Sequence, residues 1–207
     1  MRIVTLGLVA VVAAGALAAI ETEYVPLDQI QGEHWDFAFD FRLPQRIVMA
    51  DKDGTEHAYW YLLYTVTNPD RVAHDFVPQA VMFTDVGKVI TDGLYPEVLA
   101  EVKKRYRLRS LRNSVEMMGP LKAGEDEAQD AIFIFREVDP KMDRFKVFVT
   151  GLSGEFTVRT IPATEEGKEP REIVLRKTMQ LSFDFPGDDV DLGADKVYLS
   201  SQKWIWR

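Results

Sequence analysis

The chain has no cysteine in its 207 residues. That excludes disulfide bonds, thiolate metal sites, a cysteine nucleophile and a lipid-modified N-terminal cysteine. It has three histidines, His34, His57 and His74, and no two of them have the close spacing of a metal pair such as H-E-x-x-H. Beyond residue 19 there is no apolar run of the roughly 17 residues that a membrane span needs. Positive charge is also in short supply, with 25 Lys and Arg against 33 Asp and Glu and a formal net charge of −8. This balance favours solubility and argues against general nucleic-acid binding.

What is present begins with Met1-Arg2 and an apolar run from Ile3 to Ala19 that only Thr5 and Gly7 interrupt. A short positive start, an apolar middle and the small-residue end Ala16-Leu17-Ala18 have the form of a secretory leader. The expectation is a signal peptide over 1–18, cleaved after Ala18, which places the rest of the chain in the periplasm or outside the cell. The alternative is an uncleaved N-terminal membrane anchor, since the run is close to the lower limit for a span. The remaining 19–207 are of single-domain size and show no internal repeat or composition break. Without disulfides, such a domain depends on its core.

Most of that domain reads with a period of two. Trp35, Phe37, Phe39 and Phe41 alternate with Asp36, Ala38, Asp40 and Arg42, the pattern of a half-buried strand running from His34 to Leu43. Asp51-Lys52-Asp53-Gly54 is turn chemistry. His57 to Thr67 is apolar or aromatic on both faces, which predicts a central strand covered on both sides. Further strands are expected over Phe76–Thr84, Val86–Thr91, Ala131–Phe135, Ile173–Phe185 and Val197–Trp206. Phe145–Thr150 and Glu155–Ile161 read as a hairpin around Gly151–Gly154. Ala163–Pro170 and Pro186–Asp195 are charged loops. One amphipathic helix is expected over about 96–107, with Pro96 at its first position, Glu97 at the positive end of its dipole and Val98, Leu99, Val102 and Tyr106 as its apolar stripe. About nine strands and one inserted helix predict an all-β, antiparallel sandwich.

Two stretches carry a resemblance. Tyr61-Leu62-Leu63-Tyr64-Thr65-Val66-Thr67-Asn68, followed by a strand and the turn Thr84-Asp85-Val86-Gly87-Lys88, resembles the long strand ending in V-T-N and the x-D-x-G-K turn of exported immunoglobulin-like domains. Leu121-Lys122-Ala123-Gly124-Glu125 with Ala131-Ile132-Phe133-Ile134-Phe135 is similar to a further segment of the same telokin-like family of bacterial envelope domains. The resemblance spans about Tyr59 to Thr150. It implies an immunoglobulin-like sandwich and an exported location, and it carries over no catalytic residue. The basic helix and the long C-terminal strands depart from that pattern.

Chemistry-bearing motifs are scarce. Gly151-Leu152-Ser153-Gly154 lacks the G-x-S-x-G frame and sits in an expected hairpin, not at a strand-to-helix elbow. Asp51–Gly54 begins like a calcium loop but lacks its later ligands. Asp184, Asp188, Asp189, Asp191 and Asp195 offer more oxygens for an ion that takes six to eight, although a solvated loop explains them as well. Nothing in the spacing selects a catalytic pair among 33 carboxylates. Trp204 and Trp206 share one face of the last strand, as core cover or as platforms for a sugar or peptide. No cofactor, metal site or catalytic residue is assigned.

The one feature against the overall charge is basic: Lys103, Lys104, Arg105, Arg107, Arg109 and Arg112 follow one another within ten residues. The first four complement the negative end of the helix dipole, which does not account for Arg109 and Arg112. These residues are the candidate contact for an anionic partner, be it an envelope protein, a cell-wall polymer or a lipid headgroup. The expected function is an exported, non-enzymatic binding or scaffolding domain of the cell envelope. A hydrolase acting on envelope polymers and a calcium-stabilised structural module are the alternatives.

Overall fold

A computed structural model of the protein describes residues 25–50, 53–137, 141–162, 169–184 and 197–207. The leader, the start of the Asp51–Gly54 turn, most of the Ala163–Pro170 loop and the Pro186–Asp195 acidic loop lie outside the described residues.

Fourteen strands and one α-helix are found among the described residues. In chain order they are β1 (Ile30–Asp36), β2 (Ala38–Phe41), β3 (Gln45–Ala50), β4 (Glu56–Thr67), β5 (His74–Phe76), β6 (Gln79–Thr84), β7 (Val89–Thr91), α1 (Pro96–Tyr106), β8 (Arg112–Asn113), β9 (Gly119–Leu121), β10 (Gln129–Arg136), β11 (Arg144–Thr150), β12 (Ser153–Ile161), β13 (Arg171–Asp184) and β14 (Tyr198–Trp206). One sheet has the order β1-β12-β13-β11-β6-β7, with β14 also on β13. The second runs β2-β4-β10-β8, with β3 also on β4, and β5 and β9 form a small ribbon. Pairing is antiparallel except between β8 and β10 and at the isolated Asn68–Ala123 bridge.

The two sheets enclose the main core. Trp60, Leu62, Tyr64 and Val66 of β4 and Ala131, Phe133 and Phe135 of β10 meet Met82, Phe145, Val147, Met179, Leu181 and Phe183 of the larger sheet. The opposite faces of β4 and β10 present Tyr59, Tyr61, Leu63, Ile132 and Ile134 to Val98, Leu99 and Val102 of α1. The two-sided pattern of β4 is therefore met by a sheet on one side and a helix on the other. Each large side chain so buried contributes roughly 1.5–3 kcal/mol. The result is a sandwich-like all-β fold with a helix laid on the outer face of the smaller sheet. Among the described residues no helix is long and apolar enough to cross a membrane.

The structure corrects three expectations. The His34–Leu43 strand is two strands, because the chain leaves the larger sheet after Asp36 and joins the smaller one at Ala38. Phe37, whose N–H donates to Leu152 O at 2.8 Å, lies at the crossing. Its side chain keeps the alternation, so Trp35, Phe37, Phe39 and Phe41 still all pack on the main core. The Phe76–Thr84 strand likewise divides into β5 and β6, with Pro78, which has no N–H to give a ladder, between them.

The third correction concerns Phe145–Ile161, which is not a hairpin. Both β11 and β12 pair antiparallel with β13, β11 against Met179–Asp184 and β12 against Arg171–Arg176. Arg176 exchanges backbone hydrogen bonds with Arg207 on the β14 side, so β11 and β12 lie end to end along the other side of β13. Gly151 sits in the excursion between them at φ 86°, where a Cβ would come within 2.3 Å of Val77 O. The turn glycine that looks like a hairpin signal instead serves a close backbone approach.

The helix follows expectation. Pro96 occupies its first turn, and the chain leaves at Arg107 in the left-handed conformation, φ 57°. Leu108 N–H bonds back to Lys103 O at 3.1 Å, closing the last turn.

Candidate functional site

The six basic residues do not form one surface. With 3.6 residues per turn, Lys103, Lys104 and Arg107 lie on the side of the last turn away from Val98 and Val102, and Arg109 follows in the next turn. Of these, Lys104, Arg107 and Arg109 are exposed and Lys103 is half-buried. None of the four has a carboxylate within 4.0 Å among the described residues. Arg105 lies on the flank of the buried stripe, 3.9 Å from Glu101. It borders a buried hydroxyl group in which Gln45 Oε1 accepts from Tyr61 at 2.7 Å and from Tyr106. Burial, and then the hydrogen bond with Tyr106, raises the Tyr61 pKa. Arg112 is opposite Ala131 in the parallel β8–β10 ladder, so it shares the face of the main core and sits exposed at the sheet edge. Lys103, Lys104 and Arg107 thus share the last turn of the helix, Arg109 follows them in the chain, and Arg105 and Arg112 face elsewhere.

Beyond the helix end a cavity of about 170 Å³ opens on the outer face of the smaller sheet, lined by Asp40, Arg42, Leu63, Thr65, Leu108, Leu111 and Asp130 among others. The ladder explains this set. Asp40 and Asp130 are both register partners of Thr65, one from β2 and one from β10. The three therefore form a row across adjacent strands, pointing to the helix side. Thr65 Oγ1 donates to Asp130 Oδ1 at 2.7 Å. Arg42 lies one row nearer the helix, with its guanidinium 5.5 Å from the Tyr106 ring centre.

Three other polar groups were invisible in the sequence because each joins distant segments. Glu137, its side chain 7% exposed, accepts from Arg46 Nε at 2.7 Å and Nη2 at 2.8 Å, and from Trp60 Nε1 at 2.8 Å. Its hydrogen bonds raise the Arg46 pKa against the opposing effect of burial. Lys177 bridges Asp36 at 2.6 Å and Glu155 at 2.9 Å and lies 5.0 Å over Trp204. Burial, the largest effect on Lys177, works against its charge, but the bonds to Asp36 and Glu155 together outweigh it and raise its pKa. Trp204 accordingly packs at the core edge.

Asp92 completes an unfinished sheet edge. β8 covers β10 only at Ala131 and Ile132, and the next N–H on that side, from Ile134, donates to Asp92 Oδ1 at 2.7 Å. Gly93 N–H donates to Ile134 O at 2.9 Å, and the Ser114 hydroxyl donates to the other Asp92 oxygen. Burial pushes the Asp92 pKa up to about 6, while the hydrogen bonds from Ser114 and Ile134 oppose the rise. Among the described residues this is the one carboxylate raised so far. It is enclosed by partners of its own chain, outside the cavity.

The histidines are separately engaged. His34 pairs with Glu155 at 2.8 Å and His57 with Arg136 at 3.0 Å. His74 stacks on Trp35 with ring centres 4.6 Å apart and pairs with Asp70 at 2.6 Å. The Ser153 hydroxyl accepts the Glu155 N–H at 3.1 Å within its own turn. No group of three His, Asp or Glu side chains among the described residues is placed to hold a metal ion. Comparison with family models, with curated proteins and with solved structures gives no match for this chain.

Proposed function

We propose that the protein is an exported, non-enzymatic binding module of the cell envelope, an immunoglobulin-like sandwich that docks an anionic partner on the end of its helix. The observation that carries the reading is that Lys103, Lys104, Arg107 and Arg109 lack a carboxylate partner among the described residues, on a chain with a net charge of −8. Arg107 adds to it. The left-handed position it fills favours glycine, and a cation there keeps charge at the end of the helix at a cost in backbone strain. Export rests on the leader-like run that ends in Ala16-Leu17-Ala18.

A basic residue close to an anionic surface contributes about 1 kcal/mol, so four acting together give about 4 kcal/mol, roughly a thousandfold in affinity. The attraction fades beyond a Debye length of about 8 Å at physiological salt. The test is retention on phosphocellulose at pH 7 and low salt, compared with a variant carrying Lys103→Glu, Lys104→Glu, Arg107→Glu and Arg109→Glu. The parent is retained and released by salt, and the variant flows through with an unchanged melting temperature. A parent that is not retained, or a variant held as well as the parent, overturns the proposal.

A further inference from the structure

The outer face of the larger sheet, on the side of the sandwich away from α1, is basic although the chain is acidic. Ladder register sets its side chains in rows. Phe148, Gln180 and Lys203 lie in one row across β11, β13 and β14. Phe83, Lys146, Ser182 and Ser201 form the next row, which begins on β6. Neither row contains a carboxylate. Arg207, just past the end of β14, reaches back over them. Its guanidinium lies 4.3 Å from the Phe148 ring centre and 4.8 Å from that of Phe83, and the two rings meet edge to face at 5.4 Å. Lys146, Lys203 and Arg207 are all exposed, and none of them forms an ion pair among the described residues. Partial burial lowers the Arg207 pKa, as happens to a cation drawn out of water without an opposite charge beside it.

We infer that this face binds a carboxylated polysaccharide, laid across the strands with its uronate groups on Lys146, Lys203 and Arg207. A guanidinium stacked on rings keeps its N–H edge free and held in place, and that fork matches a carboxylate bidentately. Ser182 and Ser201, half-buried in the row of Lys146, suit sugar hydroxyls, because a serine hydroxyl both donates and accepts. Ser182 accepts from Gln180 Nε2 at 3.2 Å and so keeps its own proton to donate. Other anionic polymers fit less well. β6, β11 and β13 are paired along both edges, so an acidic peptide has no ladder there to join as a strand. Single-stranded nucleic acid stacks its bases on aromatic rings, whereas Phe83 and Phe148 pack on each other beneath Arg207. The face uses none of the helix cations, and the two ideas fail separately.

The experiment is an NMR titration of the full chain, following the backbone amides of 81–83, 146–148, 180–182 and 201–203. The probes are tetragalacturonate, the neutral maltotetraose, a tetraglutamate peptide and octathymidylate. Saturable shifts confined to those amides are expected with tetragalacturonate. Binding roughly tenfold weaker or worse is expected for maltotetraose, which offers no charge to the three cations. Lys146→Gln with Lys203→Gln, both at exposed positions, should weaken tetragalacturonate about tenfold. Arg207→Lys, which keeps the charge and loses the fork, should weaken it about threefold. Both variants should leave the rest of the spectrum in place. The variant with four glutamates at the helix end should bind tetragalacturonate as the parent does. Absence of saturable shifts, equal binding of maltotetraose, unaltered affinity in the sheet variants, or loss of binding in the helix-end variant overturns the inference. Tetraglutamate or octathymidylate binding as tightly as tetragalacturonate overturns the assignment to a polysaccharide.

Discussion

Replacing Asp92 by Asn should stabilise the protein at neutral pH and leave it little changed in acid. In the folded state burial raises this carboxyl from its ordinary 3.8 to about 6. Between those values the folded chain holds a proton that the unfolded chain has released, so stability falls as pH rises through the interval, and the whole penalty is present above about pH 6. At about 1.4 kcal/mol per pKa unit, the gap corresponds to about 3 kcal/mol. Asparagine keeps an oxygen for the Ile134 N–H, and its amide can donate to a reoriented Ser114 hydroxyl, so the edge of β10 stays closed without a charge. Urea unfolding followed by tryptophan fluorescence suits the measurement, because Trp60 is 1% exposed and reports on the core. The quantity to follow is the stability of Asp92→Asn minus that of the parent, in which contributions from every other titrating group cancel. It should be near zero at pH 4 and rise by about 3 kcal/mol by pH 7. A difference that stays flat from pH 4 to 7 would refute the reasoning, since the carboxylate would then ionise at no cost.

Three further substitutions probe other parts of the structure. Tyr64 has a buried hydroxyl without a partner among the described residues, and an unsatisfied group of this kind costs about 1–3 kcal/mol. Tyr64→Phe should raise the melting temperature by about 2–4 °C for each kcal/mol recovered, whereas a fall would mean that the hydroxyl is bonded. Arg107→Gly should stabilise by about 0.5–1 kcal/mol by relieving the left-handed residue, yet weaken phosphocellulose retention; a loss of stability contradicts the strain argument. Lys177→Met leaves Asp36 and Glu155 facing one another without their cation and should destabilise by about 1–2 kcal/mol at pH 7, measured by urea unfolding. Burial alone would raise the Glu155 pKa, but His34 and Lys177 outweigh it and lower it. The stability it contributes is therefore present above its ordinary 4.5 and lost as pH falls through the lowered value. The Lys177→Met deficit should shrink in acid, and a deficit that grows there would refute the pairing.

Strand and helix content were legible in the residues because burial imposes a period. The two-sided apolar pattern of β4 called for cover on both faces and the stripe of α1 for one buried side, and Pro96 fixes where the helix starts. Where one strand ends and another begins was less legible. A chain that switches sheets at Phe37 keeps the same alternation as one that does not. Likewise, glycines that permit a tight turn also permit the close approach that Gly151 makes to Val77, so β11 and β12 were readable as strands but not as end-to-end partners of β13.

The class of the fold, the helix with its basic end, and the absence of thiol chemistry all follow from local composition and periodicity. Tertiary pairing, which sets β8 beside β10, is what parts Arg112 from the helix cations. It also brought Asp40, Thr65 and Asp130 into one row and enclosed Asp92 at the open edge of β10. Each of these groupings joins residues from separate strands, and their proximity is set by ladder register and sheet packing, which leave no mark on the spacing along the chain.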